Sequence, residues 1–160
     1  MKITDITIDV IERNTISVRV QDERSDLGGT TTQGVLRVKT DAGIEGHAFV
    51  GDQGADSSQR MASIIKILKP AMMGREPSDR EWLWNQLSVI AGHGSAIEPV
   101  WAPLDVALWD IEGKSAGQPI HKLLGTARNE VPIYATYPPR HGTVKGFVAE
   151  ALQLKDEGFR

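Results

Sequence analysis

The stretch PLDVALWDIEGKSAGQPIHKLLG, residues 103–125, decides the fold class of this chain. Apolar residues recur along it at helical spacing in two stripes, one at 101, 104, 108 and 111 and the other at 102, 106 and 109. Because both stripes are apolar, the pattern predicts a helix that is buried on two faces, between two other layers. Asp110 and Lys114 lie four residues apart on the remaining edge. Gly117 and Pro119 predict the end of this helix, and Pro119 begins a short turn that Gly125 ends.

Upstream of this helix, apolar and polar residues alternate in three runs, as in β-strands. The apolar positions are Ile6, Ile8 and Val10 in the first run, Ile16, Val18 and Val20 in the second, and Leu36 and Val38 in the third. The third run leads through the turn at 40–43 into Ile44. The runs predict an antiparallel three-stranded meander, and the polar residues 21–34 between the second and third runs predict a long loop.

Between the strands and the opening stretch, the apolar period changes to that of a helix. The stripe formed by Met61, Ile64, Ile65 and Leu68 predicts a helix that ends at Pro70. Ser78 and Glu81 have the spacing of a capping box, which predicts the start of a second helix that continues through Leu83, Leu87 and Ile90. Gly92 and Gly94 are expected to separate it from the helix of the opening stretch.

Composition limits the classes of function. The chain has 160 residues, a formal charge of −3 and no cysteine. It has no cluster of basic residues of the kind that binds nucleic acid, and no apolar run long enough to span a membrane, so neither is expected as a partner. Disulfides and cysteine-ligated zinc are excluded, and the N-terminus does not have the pattern of a secretory signal. The expected location is the cytoplasm.

After Gly125 the pattern becomes that of a parallel β/α unit. The run VPIYAT at 131–136 predicts a strand, YPPRHG at 137–142 a loop, and the apolar spacing from Val144 onward a helix that stops at Gly158. A single such unit has no parallel strand beside it, so the chain is expected to be a truncated part of a longer protein. The alternative is a free-standing binding module in which residues 126–160 form an appendage.

The opening stretch followed by VPIYAT resembles the N-terminal capping domain of the enolase superfamily, in the branch of mandelate racemase and muconate cycloisomerase. The resemblance extends over essentially all 160 residues. It implies an α+β fold with an enolase-like capping domain at 1–125, made of the meander and a helical layer. Residues 126–160 would be the first strand and helix of a TIM-like barrel that is incomplete in this chain.

The resemblance implies an enzyme that removes the proton α to a carboxylate with the help of a divalent metal, usually Mg²⁺. The expected activity is that of a sugar-acid dehydratase acting on a small carboxylate, and a homo-oligomer is expected for the intact protein. A racemase, epimerase or cycloisomerase of the same superfamily remains the alternative among enzymes. The resemblance implies that the catalytic bases and the Mg²⁺ ligands belong to the missing barrel, so the chain alone is expected to be inactive.

In such enzymes the loops of the capping domain close over the barrel and help to select the substrate. Carried onto this sequence, that role falls to residues 21–33 and to the segment 49–55, which we call the lid. Within the lid, the resemblance implies substrate contact by Arg24, Asp26 and Phe49, and the polar composition of 21–33 favours a hydroxylated acid. Arg24 suits a carboxylate because its guanidinium can form two parallel hydrogen bonds. Past the predicted barrel strand, Tyr137 and Arg140 are further candidates.

The histidines do not have the spacing of a metal site. His47, His93, His121 and His141 are far apart in the sequence, and none belongs to an HxxH or HExxH pattern. They predict no metal site within this chain.

Overall fold

The computed structural model describes residues 1–14, 18–20, 23–25, 30–51, 57–90, 98–135 and 143–159. These residues form two compact units. The first consists of residues 1–13 and 31–125, and the second of residues 14–30 and 126–160. Within the described ranges, no helix has the length and apolar character that crossing a membrane requires.

The strands form two separate sheets. They are β1 (Ile3–Asn14), β2 (Val18–Val20), β3 (Glu23–Ser25), β4 (Thr30–Thr40) and β5 (Glu45–Val50). The larger sheet has the order β1-β4-β5, and β4 pairs antiparallel with β5 so that Gly34 lies opposite Val50 and Lys39 opposite Glu45. The predicted turn at 40–43 is confirmed, because Gly43 has a φ of +75° and donates its N–H to the carbonyl of Thr40. The smaller sheet is the antiparallel pair β2–β3.

Two strand predictions were wrong in detail. Val18–Val20 is not the middle strand of the main sheet but pairs with the neighbouring Glu23–Ser25. This local antiparallel pairing is favoured because it closes only a short loop. The predicted loop 21–34 contains β3 and the beginning of β4. The start of β4 could not be recognised from alternation, because its buried positions there are the polar residues Thr31 and Gln33.

The helices follow the main sheet. They are α1 (Ser58–Ser63), a π-helical turn (Ile64–Leu68), α2 (Lys69–Met72), α3 (Arg80–Ile90), α4 (Glu98–Ala116), α5 (Ile120–Leu123) and α6 (Val144–Asp156). The predicted stop at Pro70 was wrong, since the helical path continues to Met72. The wider π turn, in which Lys69 donates to the carbonyl of Ile64, immediately precedes Pro70 and accommodates a residue that cannot donate in an α-helical ladder. The predicted breaks at Gly92 and Gly94 lie outside the described residues.

The core of the first unit lies between the main sheet and the helical elements from α1 to α4. It combines Leu36, Val38 and Val50 of the sheet with one stripe of α4, in which Leu104, Leu108 and Ile111 are fully buried and Trp101 is nearly so. The second predicted stripe is not buried in the described chain, because Val106 is 54% exposed and Ala102 is exposed. The prediction of burial on two faces was therefore wrong for these residues, although the α+β architecture of sheet and helical layer is confirmed.

Helix α4 approaches β5 very closely at Gly46. A Cβ atom on Gly46 would lie only 2.1 Å from the carbonyl oxygen of Ala107 and 2.7 Å from Cγ1 of Ile111. Only glycine permits this distance between a strand and a helix backbone, so Gly46 sets how deeply α4 packs on the sheet.

The end of α4 confirms the prediction from its glycine and proline. Gly117 has a φ of +62° and donates to Lys114, while Gln118 donates to the carbonyl of Gly113 at 3.0 Å, which together form a Schellman motif. Pro119 then begins the short helix α5, and Gly125, with a φ of +90°, follows its end.

The second unit contains the part after Gly125. The predicted helix is present as α6, where the Thr143 side chain accepts a hydrogen bond from the N–H of Gly146 and Gly158 follows the end with a φ of +96°. The predicted strand at 131–136 was wrong over its described residues 131–135, which are not in a strand; Tyr134 is 74% exposed. A parallel strand forms only beside a neighbouring strand, and no partner strand for this segment occurs within the described ranges.

Candidate functional site

Phe49 is the one predicted site residue whose side chain the structure describes. It lies near the end of β5 and is 58% exposed, between the buried residues Ala48 and Val50. Its ring lies close to the backbone of Gly51, where a Cβ atom would come within 2.7 Å of Phe49 Cε1 and 3.1 Å of Gln33 Cγ. A glycine at 51 therefore leaves room for the aromatic ring beside β4. The ring is exposed at the point where the chain enters the lid segment 49–55.

The other predicted site residues are not brought together by the described structure. The backbone of Arg24 lies in β3, opposite Arg19 in the register of the small sheet. Asp26, Tyr137 and Arg140 lie outside the described residues. Their role in substrate contact stays a prediction from the sequence.

A set of charged residues lies along the outer face and edge of the main sheet. We call it the outer-face network, and its members are Asp9, Arg37, Glu45, His47, Asp110 and Lys114. Arg37 projects from β4 on the side opposite Leu36 and Val38, because neighbouring strand residues point to opposite faces. Its Nε donates to Asp9 at 2.5 Å and its Nη1 donates to Glu45 at 3.0 Å.

Two members of this network from α4 close the outer edge of β5. Asp110 Oδ2 accepts the backbone N–H of His47 at 2.8 Å, and Lys114 Nζ donates to the backbone carbonyl of Glu45 at 2.7 Å. Lys114 also donates to Asp110 at 2.7 Å, which confirms the predicted i, i+4 pair. An edge strand with unpaired backbone groups can pair with another chain, and these two side chains satisfy two such groups on β5.

The charges of the network stabilise the ionised form of two of its carboxylates, those of Glu45 and Asp110. The Arg37 guanidinium holds the pKa of Glu45 below its usual range. Burial opposes ionisation of Asp110, but the Lys114 ammonium and the His47 N–H more than offset it, so the pKa of Asp110 is also lowered. A general base for proton abstraction needs a pKa near the working pH, which these two carboxylates do not have. The arrangement fits a structural role at the sheet edge.

The described residues do not form a metal site. In the ranges that the structure covers, no group of three or more His, Asp or Glu side chains is arranged to hold a cation. His47 belongs to the outer-face network and His121 is exposed on α5, while His93 and His141 lie outside the described ranges. The donor set therefore does not fit the Mg²⁺ ion that the resemblance implies, and no catalytic step can be derived from these residues through a metal.

An open cleft of about 800 Å³ lies beside α3 and α4 in the first unit. We call it the tryptophan cleft, and its main lining residues are Arg80, Trp82, Trp84, Trp101, Asp105 and Trp109. The rings of Trp84 and Trp101 are 6.1 Å apart and tilted by 48°. The guanidinium of Arg80 lies 3.8 Å from the ring centre of Trp109, at the distance of a cation–π contact.

Two charged residues of the cleft, Arg80 and Asp105, are affected by its partly buried surroundings. Nη1 of Arg80 is buried and has no hydrogen-bond partner in the described part of the chain; its nearest carboxylate oxygen, on Glu112, is 3.7 Å away. Burial raises the pKa of Asp105, and Arg80 opposes that shift. Apolar spacing placed Trp101 and Trp109 in helical stripes, and Trp101 is indeed in the core, but the spacing did not indicate this cleft. The signal was the second apolar stripe of the opening stretch, which contains Trp109.

The sequence matches the family of the mandelate racemase and muconate lactonizing enzyme N-terminal domain over residues 15–125. One relative, the D-mannonate dehydratase of Caulobacter vibrioides, is 34% identical over 133 residues, which are 78% of this chain and 31% of that protein. The chain thus spans about a third of the length of this relative.

Solved structures give the same assignment. A member of the enolase superfamily from Polaromonas sp. JS666 has a TM-score of 0.76 at 26% identity, over 98% of this chain and 42% of that one. D-glucarate dehydratase from Agrobacterium tumefaciens, solved with magnesium, has a TM-score of 0.64 at 31% identity, over 84% and 35%. The resemblance that the sequence suggested is confirmed: this chain belongs to the mandelate racemase and muconate lactonizing enzyme family of the enolase superfamily.

Proposed function

We propose that this chain is the N-terminal, substrate-enclosing part of a sugar-acid dehydratase. The observation that carries the proposal is the 34% identity to a D-mannonate dehydratase over 78% of the chain. The similar structure of a D-glucarate dehydratase supports the same substrate class, a small hydroxylated carboxylate. Because both names are those of dehydratases, dehydration is favoured over racemisation or cycloisomerisation.

In this proposal the chain contributes closure and substrate selection. Phe49 supports that role because it is a large apolar side chain that stays exposed at the entrance to the lid. Arg24 and Asp26 of the lid would meet the carboxylate and hydroxyl groups of the substrate, and Tyr137 and Arg140 would line the site from the barrel side. Enclosing loops of this kind exclude water and complete a site only when the substrate is bound.

The metal and the catalytic bases belong, in this proposal, to the remainder of the enzyme. Mg²⁺ is the proposed metal because the similar D-glucarate dehydratase was solved with magnesium. When bound, such an ion would stabilise the negative charge that develops on the substrate as the α-proton leaves. The proposed domain boundary follows Gly125, where the first compact unit ends, with the barrel beginning at 126. The homo-oligomeric state and the cytoplasmic location stay predictions from the sequence.

The test uses a hybrid enzyme. All 160 residues of this chain replace the matching N-terminal third of the C. vibrioides D-mannonate dehydratase, and dehydration of D-mannonate and related sugar acids is measured with Mg²⁺. We expect an active hybrid in which replacement of residues 22–26 by a Gly/Ser linker lowers kcat/KM by about tenfold or more. Phe49→Ala should also lower it, whereas Val10→Ala, at an exposed valine of β1, should not.

Two results would overturn the proposal. A folded hybrid that dehydrates none of the sugar acids would contradict the substrate class. An active hybrid in which the linker and Phe49→Ala leave kcat/KM unchanged would contradict the role of the lid.

A further inference from the structure

His47 lies at the centre of the outer-face network, and its ring faces charged groups from three elements. Its Nδ1 lies 3.1 Å from Nζ of Lys114 on α4, and its Nε2 lies 3.1 Å from Oε1 of Glu45 on β5 and 3.3 Å from Nη1 of Arg37 on β4. Asp110 on α4 also faces the ring, with its Oδ2 3.6 Å from Nδ1. Two cations and two carboxylates surround the ring, so the geometry of the hydrogen bonds, not the balance of charge, identifies its state.

The contacts identify which ring nitrogen carries the proton. Lysine and arginine side chains only donate hydrogen bonds, and a neutral imidazole has one donor and one acceptor nitrogen. Nδ1 must therefore accept from Lys114, which leaves the proton on Nε2, where it is donated to Glu45. The opposite tautomer would set an N–H against the ammonium and a lone pair against the carboxylate. Arg37 does not need Nε2 as an acceptor, because its guanidinium already donates to Asp9 and Glu45.

A second proton on the His47 ring would conflict with Lys114. It would sit on Nδ1 and point at the ammonium, so that two donors and two positive charges would meet across 3.1 Å. Oδ2 of Asp110 is too far from Nδ1 for a hydrogen bond, and it already accepts from Lys114 and from the backbone N–H of His47. Protonation of the ring therefore repels Lys114, which is the side chain that donates to the carbonyl of Glu45 on the outer edge of β5.

We propose that His47 is a proton-sensitive latch at the outer edge of β5. In its neutral form the ring holds Lys114 through Nδ1, and Lys114 donates to the carbonyl of Glu45. In its protonated form the ring displaces Lys114 from that carbonyl, so the edge loses one of the two side chains that close it. The latch goes beyond the proposed function and does not depend on it, because all its residues belong to the first unit.

Nuclear magnetic resonance of the 160-residue chain tests both states of the latch. The histidines are labelled with ¹⁵N, and the signals of His47 are those that His47→Ala removes. At about pH 8 we expect the proton on Nε2, and between about pH 8 and about pH 5 we expect protonation of Nδ1. The ¹³C signal of the Glu45 carbonyl should shift in step with the ring, and Lys114→Met should abolish that shift. A proton on Nδ1 at the higher pH, or a carbonyl signal that stays constant, would overturn the proposal.

A double-mutant cycle of His47→Ala and Lys114→Met measures the coupling of the two side chains in urea titrations. We expect a stabilising coupling at about pH 8 that is lost or reversed at about pH 5, because only the neutral ring accepts from the ammonium. The pKa values of Glu45 and Asp110 are lowered, so both carboxylates stay ionised over this range.

The control cycle replaces His47→Ala by His121→Ala, at an exposed histidine on α5, and should show no coupling to Lys114 at either pH. A coupling of His47 to Lys114 that is equally stabilising at both pH values would show that the proton does not displace the lysine. No coupling at the higher pH would show that Lys114 does not bind the ring, and either result would sink the latch while leaving the proposed function untouched.

Discussion

The two faces of α4 have the same apolar character in the sequence but different surroundings in the structure. On one face, Leu104, Leu108 and Ile111 are fully buried against the sheet, and the helix backbone comes so close to Gly46 that no side chain fits. On the other, Val106 is exposed and Trp109 lies in an open cleft. The difference shows that apolar spacing alone does not determine burial, because only the face of α4 that meets the sheet is part of the core of the described chain.

The largest expected effect in this comparison comes from the close contact at Gly46. Gly46→Ala would place a methyl group against the carbonyl of Ala107, so α4 must move away from the sheet. We expect a loss of more than about 4 kcal/mol in the free energy of unfolding, enough to unfold the chain. Urea titration followed by circular dichroism measures it.

Gly43→Ala is the control for that substitution. Gly43 has a φ of +75° but no atom near its missing Cβ, so only backbone strain remains, at about 1 kcal/mol. Similar losses for the two variants would show that the helix does not approach the sheet as described.

A pair of truncations separates the two faces of α4 directly. Leu108→Ala empties a fully buried position and should cost about 2–5 kcal/mol. Val106→Ala changes a side chain that is mostly in water and should cost less than about 0.5 kcal/mol in the isolated chain. The urea midpoints of the two variants provide the measurement, and equal destabilisation would mean that both faces are buried in the 160 residues.

The contribution of Asp110, at the edge of the sheet, to the free energy of unfolding should depend on pH. Asp110→Ala removes the acceptor of the His47 N–H and the partner of Lys114, which we expect to cost about 1–2 kcal/mol at neutral pH. Because the pKa of Asp110 is lowered in the folded chain, its contribution is complete above its ordinary value and is lost as the pH falls through the lower folded-state value.

The stability difference between wild type and Asp110→Ala should therefore stay nearly constant from about pH 7 to about pH 4 and shrink as the pH falls further. Glu12→Ala, at an exposed carboxylate on β1, is the control and should change the midpoint little. A gap that grows on acidification would show that Asp110 does not stabilise the fold as a carboxylate.

The smallest expected effect is that of the lid on stability. Residues 22–26 are all polar or charged, so their replacement by a Gly/Ser linker removes no apolar side chain. The replacement should change the free energy of unfolding of the isolated chain by less than about 0.5 kcal/mol, as measured by urea titration. A large loss would indicate that these residues support the fold instead of the substrate.

The contacts that the sequence predicts correctly are those between residues close together in the chain. The cap at Gly117 and the pair of Asp110 with Lys114 depend on residues within one turn, and both were predicted correctly. The contact of Gly46 with Ala107 and the bond from His47 to Asp110 join residues about sixty positions apart, and no local pattern indicates them.

Two of the wrong predictions, for the second stripe of α4 and for the start of β4, also concern contacts between residues distant in the sequence. Apolar spacing showed that α4 has two apolar faces but not which of them meets a partner within these residues. The beginning of β4 escaped detection because Thr31 and Gln33 are polar and nevertheless buried. For the candidate site, the structure adds the exposed ring of Phe49 to the prediction. Of the remaining site residues, Arg24 is described only by its backbone in β3, and Asp26, Tyr137 and Arg140 lie outside the described ranges.

The central claim is that this chain encloses a substrate and leaves the proton abstraction to the rest of the enzyme. The most direct measurement is exchange of the α-proton of D-mannonate in deuterated water with Mg²⁺, carried out with the purified 160-residue chain and with the hybrid side by side. We expect exchange by the hybrid and none by the chain alone. Exchange by the chain alone that persists through purification and is lost with the lid replacement would contradict it.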